Sequence, residues 1–183
     1  MTACTQIVTA VPEPSTPLPT RHFHVVAGEV GYAASVADEV EQGSGGYVIA
    51  NYAYALSAWF EPRAYAGMVL TYFDGLDGCE GYMPSCEVTA QIGIVGVKGR
   101  LIVPIPWVAP FVELGIGTSI GAMRTLTPQH AIELVGITYH VPIGLGLALG
   151  PNHNTTVALN LLLHPIEHQW ENLIGVGFAF ALP

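Results

Sequence analysis

The sequence is short of charge, and shortest of positive charge. Lysine and arginine together number five against fourteen Asp and Glu, and charged residues make up 10% of the 183. A soluble domain usually carries about 25%. So acidic a chain has no basic face to offer a nucleic acid. Its surface also cannot be covered by charge, so much of it either faces lipid or is buried in a partner.

The chain also lacks a helix-length apolar run. No stretch reaches the roughly 18 to 20 residues of a transmembrane helix. Residues 101–114, for example, are interrupted by Pro104, Pro106, Pro110 and Glu113. The 21 Gly and 14 Pro would sit badly in helices. Mean hydropathy is nevertheless +0.46. A chain that spans a membrane without helices is left with a closed barrel, because lipid cannot satisfy open strand edges. Residues 1–21 show neither a basic start nor an apolar core of signal-peptide length. A barrel bound for an outer membrane needs an export signal, so the sequence reads as mature or trimmed, with Met1 an addition.

Signatures of chemistry are missing too. No Cys/His spacing suits zinc, and there is no GxSxG or P-loop. Gly115-Ile116-Gly117 falls within a strand pattern and is not a nucleotide loop. Among seven His, only His164, Glu167 and His168 cluster in a catalytic manner. No Ser lies near them in sequence, so they read as a solvated loop group. No enzymatic activity, cofactor or metal is expected.

What the sequence does carry is a period-two pattern. At the end of the chain, Ile174, Val176, Phe178, Phe180 and Leu182 share one parity, with Gly175, Gly177, Ala179 and Ala181 on the other. That alternation denotes a strand. It recurs in eight segments, approximately 22–37, 46–57, 63–74, 86–103, 110–123, 130–149, 154–165 and 172–182. Most exceed the 9 to 11 residues that cross a bilayer when tilted. Ahead of them, residues 1–21 form a Pro-rich arm, leaving 22–183 as a single barrel domain. Connectors after strands 2, 4 and 6 read as short turns. Those after strands 1, 3, 5 and 7 read as longer and more acidic, the asymmetry of a transmembrane barrel.

The faces are inverted relative to a soluble barrel. Val135, Ile137, Leu145, Leu159, Leu161, Ile174, Val176 and Phe178 fall on bulky apolar parities, opposite small and polar residues. A soluble barrel turns its large apolar side chains inward, whereas a membrane barrel turns them to lipid. The inward parity collects Glu29, Arg63 and Glu113, with Lys98 and Arg100 joining them if a bulge near Gly96 resets the phase of strand 4. These charges need partners, since an unpaired buried charge is costly. They read either as a polar plug or as the lining of a selective pore. Eight strands leave room only for side chains, which favours the plug. The remaining acids concentrate on the long-connector side. Trp59, Phe60 and Trp107 at one end, and Tyr72, Phe73, Tyr82 and Trp170 at the other, suit interfacial girdles. Cys79 and Cys86, in a Gly/Asp/Pro-rich connector, are read as a disulfide, with two free thiols as the alternative. Cys4 is left over.

Residues 22–182 resemble the eight-stranded outer-membrane protein A-like barrels. The stretch GIVGVKGRLIVPIPWVAPFVELGIGTSIG carries the likeness best, with GITYHVPIGLGLALG and GVGFAFALP. One departure is the ending Phe180-Ala181-Leu182-Pro183, where such barrels usually end on an aromatic residue. The resemblance implies an all-β, closed, antiparallel up-and-down transmembrane barrel in a bacterial outer membrane. Its expected partners are membrane lipid and lipopolysaccharide, with a protein partner at the acidic loops or the N-terminal arm. Three functions fit: a structural or anchoring barrel, a small channel or apolar-ligand carrier, and a soluble lipocalin-like barrel.

Overall fold

A computed structural model of the protein describes residues 24–37, 40–72, 87–126, 131–166 and 169–182. Eight strands run in chain order: β1 His24–Ala37, β2 Val40–Tyr54, β3 Phe60–Tyr72, β4 Glu87–Ile102, β5 Val108–Leu126, β6 Ala131–Leu149, β7 Thr155–Ile166 and β8 Gln169–Leu182. Each pairs antiparallel with its neighbours, and β8 closes on β1.

The register measures the stagger of the barrel. Followed from Leu145 through Leu159, Val176, Tyr32, Gly46, Leu70, Gln91 and Ala122, it returns to β6 at Val135, ten residues from its start. Eight strands with that stagger tilt by about 40° to the axis. Strands of 12 to 19 residues are ample for a bilayer at that tilt.

Three expectations about the strands need correction. β2 begins at Val40, not 46, because glycines 43, 45 and 46 pair within the strand. β7 and β8 are separated only by residues 167–168. The connections beyond β1 and β7 are therefore short, and only 73–86 is long on that end. No bulge interrupts β4 near Gly96: its register with β3 and β5 is unbroken. Lys98 and Arg100 point inward in the same phase as Ala90, Ile92 and Ile94.

The outer wall is apolar. Val135 and Ile137 are 73% and 75% exposed, and Leu145, Leu159, Ile174, Val176 and Phe178 are exposed beside them, while Leu161 is half-buried. No soluble fold leaves so continuous an apolar surface in water. The interior is layered rather than uniformly polar. Toward the loop end it is a true apolar core of Ala33, Ile49, Val69, Ile92, Ile94, Met123 and Leu173. Toward the turn end, marked by residues 55–59, 103–107 and 150–154, it is charged.

The wall is also incompletely laddered. β6 pairs with β7 only from Val141↔Leu163 to Leu149↔Thr155. Above that seam β6 is bonded to β5 alone, and β7 to β8 alone. Two prolines explain the break. Pro142 lies at the top of the seam and Pro165 just beyond it. Neither can donate to a ladder, so proline gathers where pairing ends. The β5–β6 ladder also skips Gly115 and Ile116, opposite Pro142 and Val141. Higher up, Gly121 and Gly136 face each other across β5 and β6 with φ of 150° and 142°. Only glycine takes that conformation without strain.

Candidate functional site

The lumen holds the polar chemistry of the chain in three groups. The first is centred on Glu113, contributed by β5. Lys98 Nζ lies 2.6 Å from its Oε2, and Arg100 Nε lies 2.6 Å from its Oε1. Arg63 Nε is 3.8 Å from Oε1, while its guanidinium pairs with Glu61 on the same strand. Strand alternation does this: Glu61 and Arg63 share the inward parity of β3, as Lys98 and Arg100 do on β4. Arg63, Lys98, Arg100 and Glu113 are almost fully enclosed, and Glu61 is partly exposed. Three of the five cations of the chain are thus spent inside the barrel.

The second group surrounds Glu29. Asn160 Nδ2 donates to its Oε1 at 2.7 Å, Tyr47 Oη donates to the same oxygen at 3.0 Å, and Asn51 Nδ2 donates to Oε2 at 3.3 Å. Glu29 was expected to join the ion pairs. Among the described residues it instead takes neutral donors and has no cation partner, because β1 sits across the lumen from β4.

The third group was not foreseen. Ser119 Oγ lies 2.8 Å from both His140 Nδ1 and His164 Nε2. Tyr65 Oη lies 2.5 Å from His140 Nε2. The four residues come from β3, β5, β6 and β7, and both histidines are fully buried. The alternation of β6 and β7 puts His140 and His164 on the polar parity, but sequence separation hid that they meet Ser119 and Tyr65, and His164 is buried rather than part of a solvated loop group. The absence of a serine near His164 in sequence was therefore a poor guide. Glu167 and His168 lie outside the described residues. So do Cys79, Cys86 and Cys4, and hence the expected disulfide.

A serine with a histidine at hydrogen-bond distance is the geometry of an activated nucleophile. Here Ser119 and both histidines have almost no exposed surface, and Ser119 borders a cavity of about 50 Å³ with Val135 and Ile137. One hydroxyl proton cannot serve both nitrogens, so one imidazole accepts from Ser119 and the other donates to it. The group acts as a polar staple where the β6–β7 ladder ends. Among the described residues, no three His, Cys, Asp or Glu side chains gather as a metal site would require.

Free space in the lumen is divided. A cavity of about 30 Å³ lies among Tyr47, Tyr65, Lys98, Glu113 and Leu162, room for a water molecule or two. A larger one, of about 240 Å³, opens at the turn end beneath Arg63 and Arg100. The layer of charged residues stands between them.

Neither a protein-family model nor a curated protein sequence matches the chain. Solved structures do match in shape. The fold is that of the eight-stranded outer-membrane barrels. Neisserial surface protein A superposes with a TM-score of 0.56 at 8% identity, covering 86% of this chain and 96% of its own. The attachment invasion locus protein Ail of Yersinia pestis superposes at 0.52 and 13% identity, covering 87% and 99%. A second Ail structure, in complex with the heparin analogue sucrose octasulfate, gives 0.50 at 12% identity and the same coverage. At such identities the likeness is one of fold.

Proposed function

We propose that the protein is an integral barrel of a bacterial outer membrane with a structural or anchoring role, its lumen sealed by polar and charged side chains. The observation that carries this reading is Glu113 of β5 holding Lys98 and Arg100 of the neighbouring β4 inside a lumen that the apolar core closes above. The outward residues, Val135 through Phe178, then face lipid and, in the outer leaflet, lipopolysaccharide. Both ends of the described chain, His24 and Leu182, lie at the turn end, which becomes the periplasmic side. The arm of residues 1–21, which precedes β1 in sequence, and the acidic loops are the places for a protein partner. A sulfated sugar such as the Ail ligand would be repelled here. Apart from Arg63, Lys98, Arg100, Glu29, Glu61 and Glu113, the sequence has only Arg21 and Arg124 against eleven acids.

Planar-bilayer recording tests the sealed lumen. The purified protein is expected to insert without steady nanosiemens steps, and such steps in the unmodified protein would show an open pore. The Ser119 group is a staple on this reading, and the protein catalyses nothing. One observation favours a second reading. The open β6–β7 edge above Val141 offers a lateral path for an apolar ligand between bilayer and lumen. Saturable binding of a fluorescent fatty acid, lost when the seam is cross-linked, would favour the carrier.

A further inference from the structure

Arg100 has more donors than partners. Its Nε is spent on Glu113, and the face of its guanidinium covers the Phe111 ring at 3.7 Å. Among the described residues no acceptor meets its two terminal nitrogens. The residue is nonetheless 95% enclosed, and it lines the 240 Å³ turn-end cavity. A guanidinium is always charged and presents its donors as a rigid fork.

The local charge count leaves one cation over. Arg63, Lys98 and Arg100 face Glu61 and Glu113. Glu61 is taken by Arg63, and Lys98 shares Glu113 with Arg100. Glu29 makes up no deficit, because Asn51, Tyr47 and Asn160 hold it elsewhere. A buried charge without a counter-charge is costly, and this one borders a cavity that admits an ion. The lining adds hydroxyls from Ser57 and Thr156. Ser57 Oγ already accepts from the Phe60 amide at 3.0 Å, so its own proton is free to donate.

We propose that the turn-end cavity is an anion site, in which the Arg100 fork takes a small oxyanion of the phosphate class. Two oxygens of a phosphate match the fork. The volume takes one such group with a few waters. Glu61, on the same wall, keeps the site from holding a dense polyanion. The proposal goes beyond the plug and does not depend on the barrel being non-conducting.

The test uses the full chain in a neutral maltoside detergent. Inorganic phosphate and a short-chain phosphatidic acid are titrated separately against the thermal unfolding midpoint, with chloride at matched ionic strength as control. A saturable rise with phosphate identifies a free ion as ligand. A rise with phosphatidic acid alone identifies a lipid headgroup. Arg100→Lys keeps the charge and loses the fork, and should weaken binding about tenfold. Arg100→Met should abolish it. Should that variant fail to fold, Ser57→Ala leaves the ion pairs intact and should still weaken binding. No response to either ligand, or a response equal to chloride or undiminished in Arg100→Lys, would overturn the proposal.

Discussion

His140 and His164 face each other at the first position beyond the β6–β7 ladder, their ring centroids 5.5 Å apart, with Ser119 bridging them. Where two prolines end the backbone bonds, side chains take over the joining of the strands.

Ser119→Ala removes the bridge and with it the hydrogen bonds to His140 Nδ1 and His164 Nε2. Stranded buried polar groups cost about 1 to 3 kcal/mol each. For the two hydrogen bonds lost, reversible urea unfolding in detergent should show a loss of about 2 to 6 kcal/mol. An unchanged midpoint would mean that the seam does not need the staple.

The seam itself makes a second expectation. In β6, residues 143–149 pair on both sides, whereas 131–140 have a partner only in β5. Amide exchange in micelles should therefore alternate along 131–140, with every second amide fast, and be uniformly slow over 143–149. Uniform protection along the whole strand would mean that β7 covers it.

Glu113 is the single anion shared by Lys98 and Arg100. Removing one partner of a buried pair costs roughly 3 to 5 kcal/mol, and Glu113→Ala orphans both cations at once. Lys98→Met should cost much less, since Glu113 keeps Arg100. Equal losses for the two variants would contradict the shared-anion arrangement.

Gly177 carries Tyr47 against Glu29. A Cβ there would collide with Tyr47 Oη, whereas one at Gly28 would meet nothing within 4 Å. Gly177→Ala should destabilise by about 1 to 3 kcal/mol through overpacking, with Gly28→Ala as the mild control. The same midpoint for both would show that Tyr47 does not hold its place.

The strands and their faces were legible because side-chain alternation is a local property. The end of the chain, with Phe178 against Gly177, states its parity without help from the rest of the fold. Gln91 to Val97 does not. Ile92 and Ile94 on one parity, and Val95 and Val97 on the other, are all branched and apolar. Only the continuous register puts Ile92 and Ile94 in the core, and the expected bulge arose from that ambiguity. The early start of β2 was hidden by glycines that usually denote turns. The Ser119 group was beyond reach for another reason: its members are brought together by stagger across four strands, and no spacing in the sequence records the stagger.

The central claim is that the bulky apolar parity faces lipid around a filled barrel. The most direct measurement places a single tryptophan on that wall. With Trp59, Trp107 and Trp170 replaced by Phe, Val176→Trp is reconstituted into vesicles whose lipids carry bromine near the bilayer centre. Strong quenching by the brominated acyl chains, with little by aqueous acrylamide, is the expected result. Emission untouched by the bromines would place Val176 away from lipid and contradict the membrane barrel.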